Sequence, residues 1–232
     1  MISVIIPTLN DAERLPHTLP ALVYGVADGL IKQVIISDGG SKDATLEIAE
    51  AAGCDIVSGP AGRGKQLRAG AAASKGGWLL FLHAGTELSE GWRQDVARFV
   101  SGRRARMHAA AFQLAFDDDS KEAAKTLFWS RLRANWLKLP YGDQGLLISR
   151  LLYEGLGGYR DIDQHEDVDF IQRIGRKRLV VLNSEAQVSA ARYRSEARRK
   201  GRNVTMMARY LLGANPAELA HAYDDGRAPE PR

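Results

Sequence analysis

Cysteine is almost missing from this sequence: Cys54 is the single one in 232 residues. One thiol cannot form an internal disulfide, which fits a reducing compartment and a cytoplasmic protein. Cys54 follows Gly53 between a helical pattern and a short apolar run, so it reads as a buried thiol rather than a nucleophile. Long apolar runs are lacking as well. None approaches the roughly 20 residues of a membrane span. The first, Ile2 to Ile6, is too short for a secretory signal and has no basic leader. Internal repeats and a linker between halves are also absent. Residues 1–223 therefore read as one domain, and 224–232, polar with Pro229 and Pro231, as a flexible tail. A chain of this length buries roughly 70–75% of its unfolded surface, so its core needs no disulfide.

What is present is ordinary for a globular protein: 45% hydrophobic and 26% charged residues, with a net charge of +4. The positive excess gathers near the C-terminus. There Arg192, Arg194, Arg198, Arg199, Lys200 and Arg202 face only Glu196. Such a cluster suits an anionic partner, whether a diphosphate or a lipid headgroup at the inner membrane face; a solvated helix face is the bland alternative. The basic helix expected there, from about Glu196, has no aromatics interleaved among Arg198, Arg199, Lys200 and Arg202 of the kind that stack on bases, which argues against nucleic acid.

The first hundred residues alternate strand and helix signals. Ser3–Ile6, Gln33–Ser37, Asp55–Val57 and Trp78–Leu82 are short apolar runs. Pro7 stops the first. Between them, helices are expected over 11–24 (short or kinked by Pro16 and Pro20), over 42–52 with Ser41 as N-cap and Asp43 supporting the dipole, and over 65–74. Continuous apolar strands alternating with helices predict an α/β fold around a mainly parallel sheet. The second half predicts a strand at 109–116 and a long helix at 119–137 carrying Phe128, Trp129 and Trp136. After these come a loop-to-strand segment at 142–148, a helix at 166–176 and a strand at 179–182. A C-terminal helical segment at 196–212 ends at Gly213, and Pro216 opens a last short helix.

Ligands of an open α/β sheet bind beyond the C-terminal strand ends. The polar residues there are Thr8, Asn10, Asp38, Arg63, His83 and Glu87. Asp38 suits a ribose or base edge, or else is a turn residue before Gly39-Gly40. Gly59 through Gly64-Lys65 matches the start of a phosphate-binding P-loop, but Gln66 stands where the magnesium-holding Ser or Thr belongs. The match reads as accidental. The loop can still present backbone N–H groups, Arg63 and Lys65 to a phosphate.

Several segments together carry a resemblance: Val4–Asn10, Ile36–Thr45, Gly62–Gln66, Leu79–Ala84, Tyr141–Gly145, Gly157–Tyr159, Glu166–Phe170 and Tyr210–Gly213. In this order the sequence resembles an inverting family-2 glycosyltransferase over about residues 2–223. Within it, the sequence is most similar to a small bacterial subgroup associated with arsenosugar biosynthesis. The resemblance implies a GT-A fold, with a nucleotide-binding half (about 1–105) and an acceptor half (about 106–223). The implied donor is a UDP- or GDP-linked sugar contacting Pro7, Thr8, Asn10, Asp38, Gly39, Arg63, Lys65 and His83. Asp167 would be the general base, supported by Glu166; first-turn acids favoured by the helix dipole are the structural alternative. Crowding by Asp163 and Asp169 would suit a raised carboxyl pKa. Asp143, Gln144 and Trp136 fall on the sugar and acceptor side. The acceptor is a small molecule or lipid-linked.

One departure matters. Family members usually carry an aspartate, two residues after the position of His83, that binds Mg or Mn; here it is Gly85. Glycine has no ligand atom, and one imidazole is a poor magnesium anchor. If the segment is extended, Glu87 shares a face with His83 and substitutes. Alternatively Arg63, Lys65, Arg68, Arg192 and Arg194 neutralise the diphosphate. A third reading is a non-catalytic nucleotide-sugar-binding protein with a degenerate metal site.

Overall fold

The computed structural model describes residues 1–136, 140, 142–162 and 166–191, with the side chains of 129, 131–133, 135 and 136 left out. The expected C-terminal helices, Arg192, Arg194, Tyr141 and Asp163 lie outside the described residues. Within them no helix is long and apolar enough to cross a membrane.

The elements in chain order are β1 (Ile2–Thr8), α1 (Leu15–Ala27), β2 (Ile31–Asp38), α2 (Thr45–Ala51), β3 (Asp55–Ser58), α3 (Arg63–Ala73), β4 (Trp78–Phe81), β5 (Glu87–Leu88), α4 (Trp92–Val100), β6 (Ala109–Phe116), α5 (Lys121–Trp136), β7 (Leu146–Ser149), α6 (Arg150–Gly155), α7 (Glu166–Ile174) and β8 (Leu179–Val188). One eight-stranded sheet runs β3-β2-β1-β4-β7-β6-β8-β5. β3, β2, β1 and β4 are parallel. β7 reverses direction between β4 and β6, and β5 is antiparallel to β8. The expected mixed, mainly parallel sheet flanked by helices is what forms.

Strand alternation sorts the core. Ile2, Val4 and Ile6 point to one face with Leu22, Trp92 and Val96, so α1, α2 and α4 cover it. Ile5, Ile35 and Leu79 point to the other, under α3, α6 and α7. On that second face Phe81, Tyr153, Tyr159 and Phe170 pack as one aromatic group, with Tyr159 and Phe170 centroids 4.6 Å apart. This group seats α7 on the end of β4.

Several local expectations shift for identifiable reasons. β1 runs through Pro7 because the Ile5 carbonyl, and by two-residue alternation the Pro7 position, faces β4, whose pairing stops at Phe81. No ladder donor is lost there. α1 starts later than expected but is 13 residues long, since Pro16 sits in its first turn where it is tolerated. Ser41 is not a cap: α2 begins at Thr45, whose amide is held by Asp43 at 3.1 Å. β8 extends to Val188, well past Leu182. Cys54 is half-buried, and burial first, then Asp55, pushes its thiol up to about 11. Phe128 of α5 is 62% exposed.

α3 lies close to the chain that leads into α7. A Cβ on Gly64 would sit 2.4 Å from the Arg160 carbonyl oxygen. Backbone cannot yield as a flexible side chain would. Gly64→Ala is therefore expected to cost about 1–3 kcal/mol in urea unfolding. Gly155→Ala, whose Cβ meets nothing within 4 Å, should be neutral or slightly stabilising.

Candidate active site

The carboxyl ends of β1, β2 and β4 meet the starts of α3, β7 and α7 at one edge of the sheet. There Pro7, Thr8, Leu9, Asp11, Arg14, Gly62, Arg63, Gln66, His83 and Ala84 line a cleft of about 250 Å³. Of the residues expected at a donor, Pro7, Thr8, Arg63 and His83 are on its wall.

Asp38 closes the back of this edge. Oδ1 accepts hydrogen bonds from the Thr8 hydroxyl (3.0 Å) and the Ser41 hydroxyl, and Oδ2 accepts the Gly40 and Ser41 amides at 2.8 Å each. The residue is 1% exposed. Burial raises this carboxyl, but the four donors outweigh it and hold the pKa below the usual carboxylate range. Asp38 thus orders the loop from Gly39 to Ser41, with no oxygen left facing solvent. The same loop is laced to the one after β1. Asn10, at φ 55°, donates its amide to Ser41 Oγ and accepts the Lys42 amide on its side-chain oxygen, each at 2.8 Å. Asp11 receives Thr45 as its amide's acceptor at 2.8 Å and itself holds Arg14 at 2.7 Å.

Gln66 explains the failed P-loop match. Its Nε2 donates to the Thr8 carbonyl at 2.6 Å and the Ser37 carbonyl at 2.9 Å, while its own carbonyl accepts the Ser37 hydroxyl at 2.7 Å. It clamps the start of α3 to β1 and β2. Gly39 leaves room for it, since a Cβ there would lie 3.1 Å from Nε2. Lys65 turns to the rim, 3.7 Å from Asp161. Arg68 is exposed and is near Tyr153, away from the cleft lining.

The acceptor-side residues divide. Gln144 is 1% exposed and donates to the Phe112 carbonyl at 2.8 Å, so it is a strut inside the fold and cannot touch a sugar. Asp143 Oδ1 lies 3.0 Å from His83 Nδ1. Asp167, at the start of α7, accepts the Gly142 amide on Oδ2 at 3.0 Å. Glu166 is buried, 3.8 Å from Arg63 Nε. Asp169 is neutralised by Arg160 (3.1 Å) and Arg173 (2.5 Å), so it does not crowd Asp167 as a free charge. Tyr159, beneath this acidic turn, is pushed well above its usual pKa by burial and then by Asp167 and Glu166, and stays a neutral phenol. The side chain of Trp136 is outside the description.

The expected metal set does not assemble. Thr86 N–H bonds back to the His83 carbonyl at 3.1 Å, closing a turn with Gly85 at φ 86° and its amide held by Thr18 at 2.9 Å. The segment is not extended. Glu87 is carried into β5 opposite Gln187 at the sheet edge, off the face of His83. Among the described residues no three His, Cys, Asp or Glu side chains gather as for a metal ion. The donors around His83 among the described residues do not fit a divalent ion.

Leu9, Asp11, Arg14, Gly62, Gln66 and Ala84 were missed as cleft residues. Asp11 and Arg14, three apart at a helix start, were the one local signal for any of them.

The profile described as Glycosyl transferase family 2 matches residues 3–152. No curated protein matches the sequence. Among solved structures, the 1–349 fragment of S. aureus TarS superposes with a TM-score of 0.63 at 17% identity, over 81% of this chain and 60% of that one; the longer TarS structure is covered over 36% of its length. TarS 1–349 has also been solved with UDP and with UDP-GlcNAc. Glucosyl-3-phosphoglycerate synthase from Mycobacterium tuberculosis, in complex with Mn2+, UDP and glucosyl-3-phosphoglycerate, gives a TM-score of 0.54 at 22% identity, over 81% of this chain and 70% of that one. These likenesses establish a shared fold.

Because its folded pKa is depressed, Asp38 contributes stability that is present above the unfolded value and lost as pH falls through the folded one. Asp38→Asn should lower stability at pH 7 by about 1–3 kcal/mol. It should also flatten the acid limb below about pH 4, the range of a free carboxyl, in pH-dependent chemical unfolding.

Proposed function

Since the chain belongs to glycosyl transferase family 2, we propose that it moves a hexosyl group from a UDP- or GDP-linked sugar to an acceptor hydroxyl with inversion, Asp167 acting as general base. One observation carries this reading. Asp167 Oδ2 is bonded to Gly142, and Gly142 packs on the ring of His83, which is a wall of the cleft framed by Thr8. A single carboxylate at that border is what inversion requires: it takes the acceptor proton while the oxygen attacks the anomeric carbon from the face opposite the leaving diphosphate.

The cleft chemistry supports a nucleotide donor. Leu9, 45% exposed, offers an apolar face to a base. Thr8 and the backbone ordered by Asp38 and Asn10 frame the ribose, and Arg63 and Arg14 provide cations for the diphosphate. Arg63 also sits against Glu166, linking donor charge to the acidic start of α7. Asp143 is assigned to the fold of the site rather than to the acceptor, which is a small molecule or a lipid-linked alcohol.

A peripheral contact with anionic lipid has separate support. Ala109 pairs with Leu179 in parallel β6 and β8, so the turns feeding both strands lie side by side at the sheet edge opposite the cleft. They expose Arg103, Arg104, Arg106, Arg176 and Lys177 beside Met107, and none of the five is in an ion pair among the described residues.

Two measurements test these readings. UDP-glucose, UDP-N-acetylglucosamine and GDP-mannose are screened by thermal shift, and the stabilising donor is followed for release of free sugar. Asp167→Asn should lower turnover about 10²–10⁴-fold with donor binding kept. Turnover equal to wild type rejects the base, and binding without any turnover selects the non-catalytic alternative. The protein should also sediment with phosphatidylglycerol vesicles but not phosphatidylcholine ones, and lose this in the Arg104→Glu/Arg106→Glu/Lys177→Glu variant; equal sedimentation of that variant removes the lipid contact.

A further inference from the structure

We propose that His83 and Asp143 form a positioning pair that sets where the Asp167 carboxylate stands; this deepens, and rests on, the assignment of Asp167 as base. The turn from Gly142 to Gly145 is closed by the Gly145 amide on the Gly142 carbonyl at 3.0 Å, with Gly145 at φ 63°. It is pinned to the sheet at two points. Gln144 Nε2 donates to the Phe112 carbonyl at 2.8 Å, and Asp143 Oδ1 meets His83 Nδ1 at 3.0 Å. Its third tie is the Gly142 amide, donated to Asp167 Oδ2 at 3.0 Å. The first two ties belong to β6 and to the segment just after β4, and the second of these is on the donor side. The third belongs to α7, on the acceptor side.

The contact at Gly142 leaves almost no slack. A Cβ built there would lie 2.7 Å from both Cε1 and Nε2 of His83 and 3.4 Å from Asp167 Oδ2. The His83 ring therefore fills the space where a side chain at position 142 would stand, and the Asp167 carboxylate that accepts the Gly142 amide lies beside that same space. His83 and Asp143 side chains are only 9% and 16% exposed, so little water competes for their bond. Moving the ring or releasing Asp143 moves the amide that orients Asp167. The pair touches the reacting atoms only through Asp167 and acts as a brace, not as catalytic residues. It also gives His83 a task in a cleft whose turn at Gly85 has no carboxylate to share a metal ion with.

The test uses the full chain and steady-state hydrolysis of UDP-glucose, or of whichever donor of the thermal-shift panel binds. Asp143→Ala and Gly142→Ala should each lower kcat about 10²-fold, the cost of a misplacement near 1 Å, with KM and UDP affinity within about twofold. Asp143→Asn, which keeps an oxygen to accept the Nδ1 proton, should recover most of the loss. In an Asp167→Asn background, Asp143→Ala should cause no further fall. A pair that merely stabilised the fold would lower the melting temperature and leave kcat of the folded fraction unchanged; that result overturns the proposal, as does equal loss in Asp143→Asn and Asp143→Ala. If Asp143→Ala does not fold, Gly142→Ala decides by the same split. Wild-type turnover in Asp167→Asn rejects the base itself, whereas an inactive Asp167→Asn with full kcat in both turn variants rejects only the brace.

Discussion

The architecture turns on one reversal of strand direction. β4 ends a run of parallel strands, and β7 pairs with it antiparallel, Trp78 with Ser149 through Phe81 with Leu146. An antiparallel partner begins where its neighbour ends. The turn that feeds β7 is therefore delivered to the carboxyl edge of the sheet, beside His83 and the ends of β1 and β2. Had β7 run parallel, residues 142–145 would lie at the opposite edge and Asp167 would have no amide to meet. The site of an otherwise ordinary α/β sheet is thus completed by a segment some sixty residues downstream of the strand it borders.

Charge at this edge is handled by pairing rather than by exposure. Four donors converge on Asp38, which lets a carboxylate stay ionised while nearly sealed from water. Asp169 is held between Arg160 and Arg173, and Glu166 faces Arg63. Asp38 shapes the loops after β1 and β2, and Asp169 the start of α7. Asp167 differs in being only half-buried and in accepting, besides the amide of its neighbour Val168, a hydrogen bond from a turn that the cleft wall supports. That combination singles it out among the carboxylates of the helix, which sequence position alone leaves equivalent.

Much of the frame is legible along the chain. The apolar runs around Val4, Ile35, Leu80 and Ala111 are strands because buried parallel and mixed strands have no polar face to show, and each was expected within a few residues of its place. Three short elements were not visible. β5 has two residues, and α4 and α6 are nine and six long; such pieces are decided by what they pack on rather than by their own periodicity. Nor was the turn from His83 to Thr86 expected, because the left-handed glycine and the Thr18 hydroxyl that hold it come from different parts of the chain.

The sequence by itself determined the layered α/β plan, the residues that end each parallel strand, and the place of Glu166-Asp167 at a helix start, since these follow from local pattern and spacing. Which polar side chains face the cleft was decided only by tertiary structure. Gln144 looked like a sugar contact and is an internal strut; Gln66 looked like a failed phosphate ligand and is a clamp; Glu87 looked like a substitute metal ligand and stands on the sheet edge. The physical reason is the same for the two glutamines. A buried amide or carbonyl must find a partner, and that partner lies 32 residues away for Gln144 and 58 for Gln66, beyond the reach of any local rule.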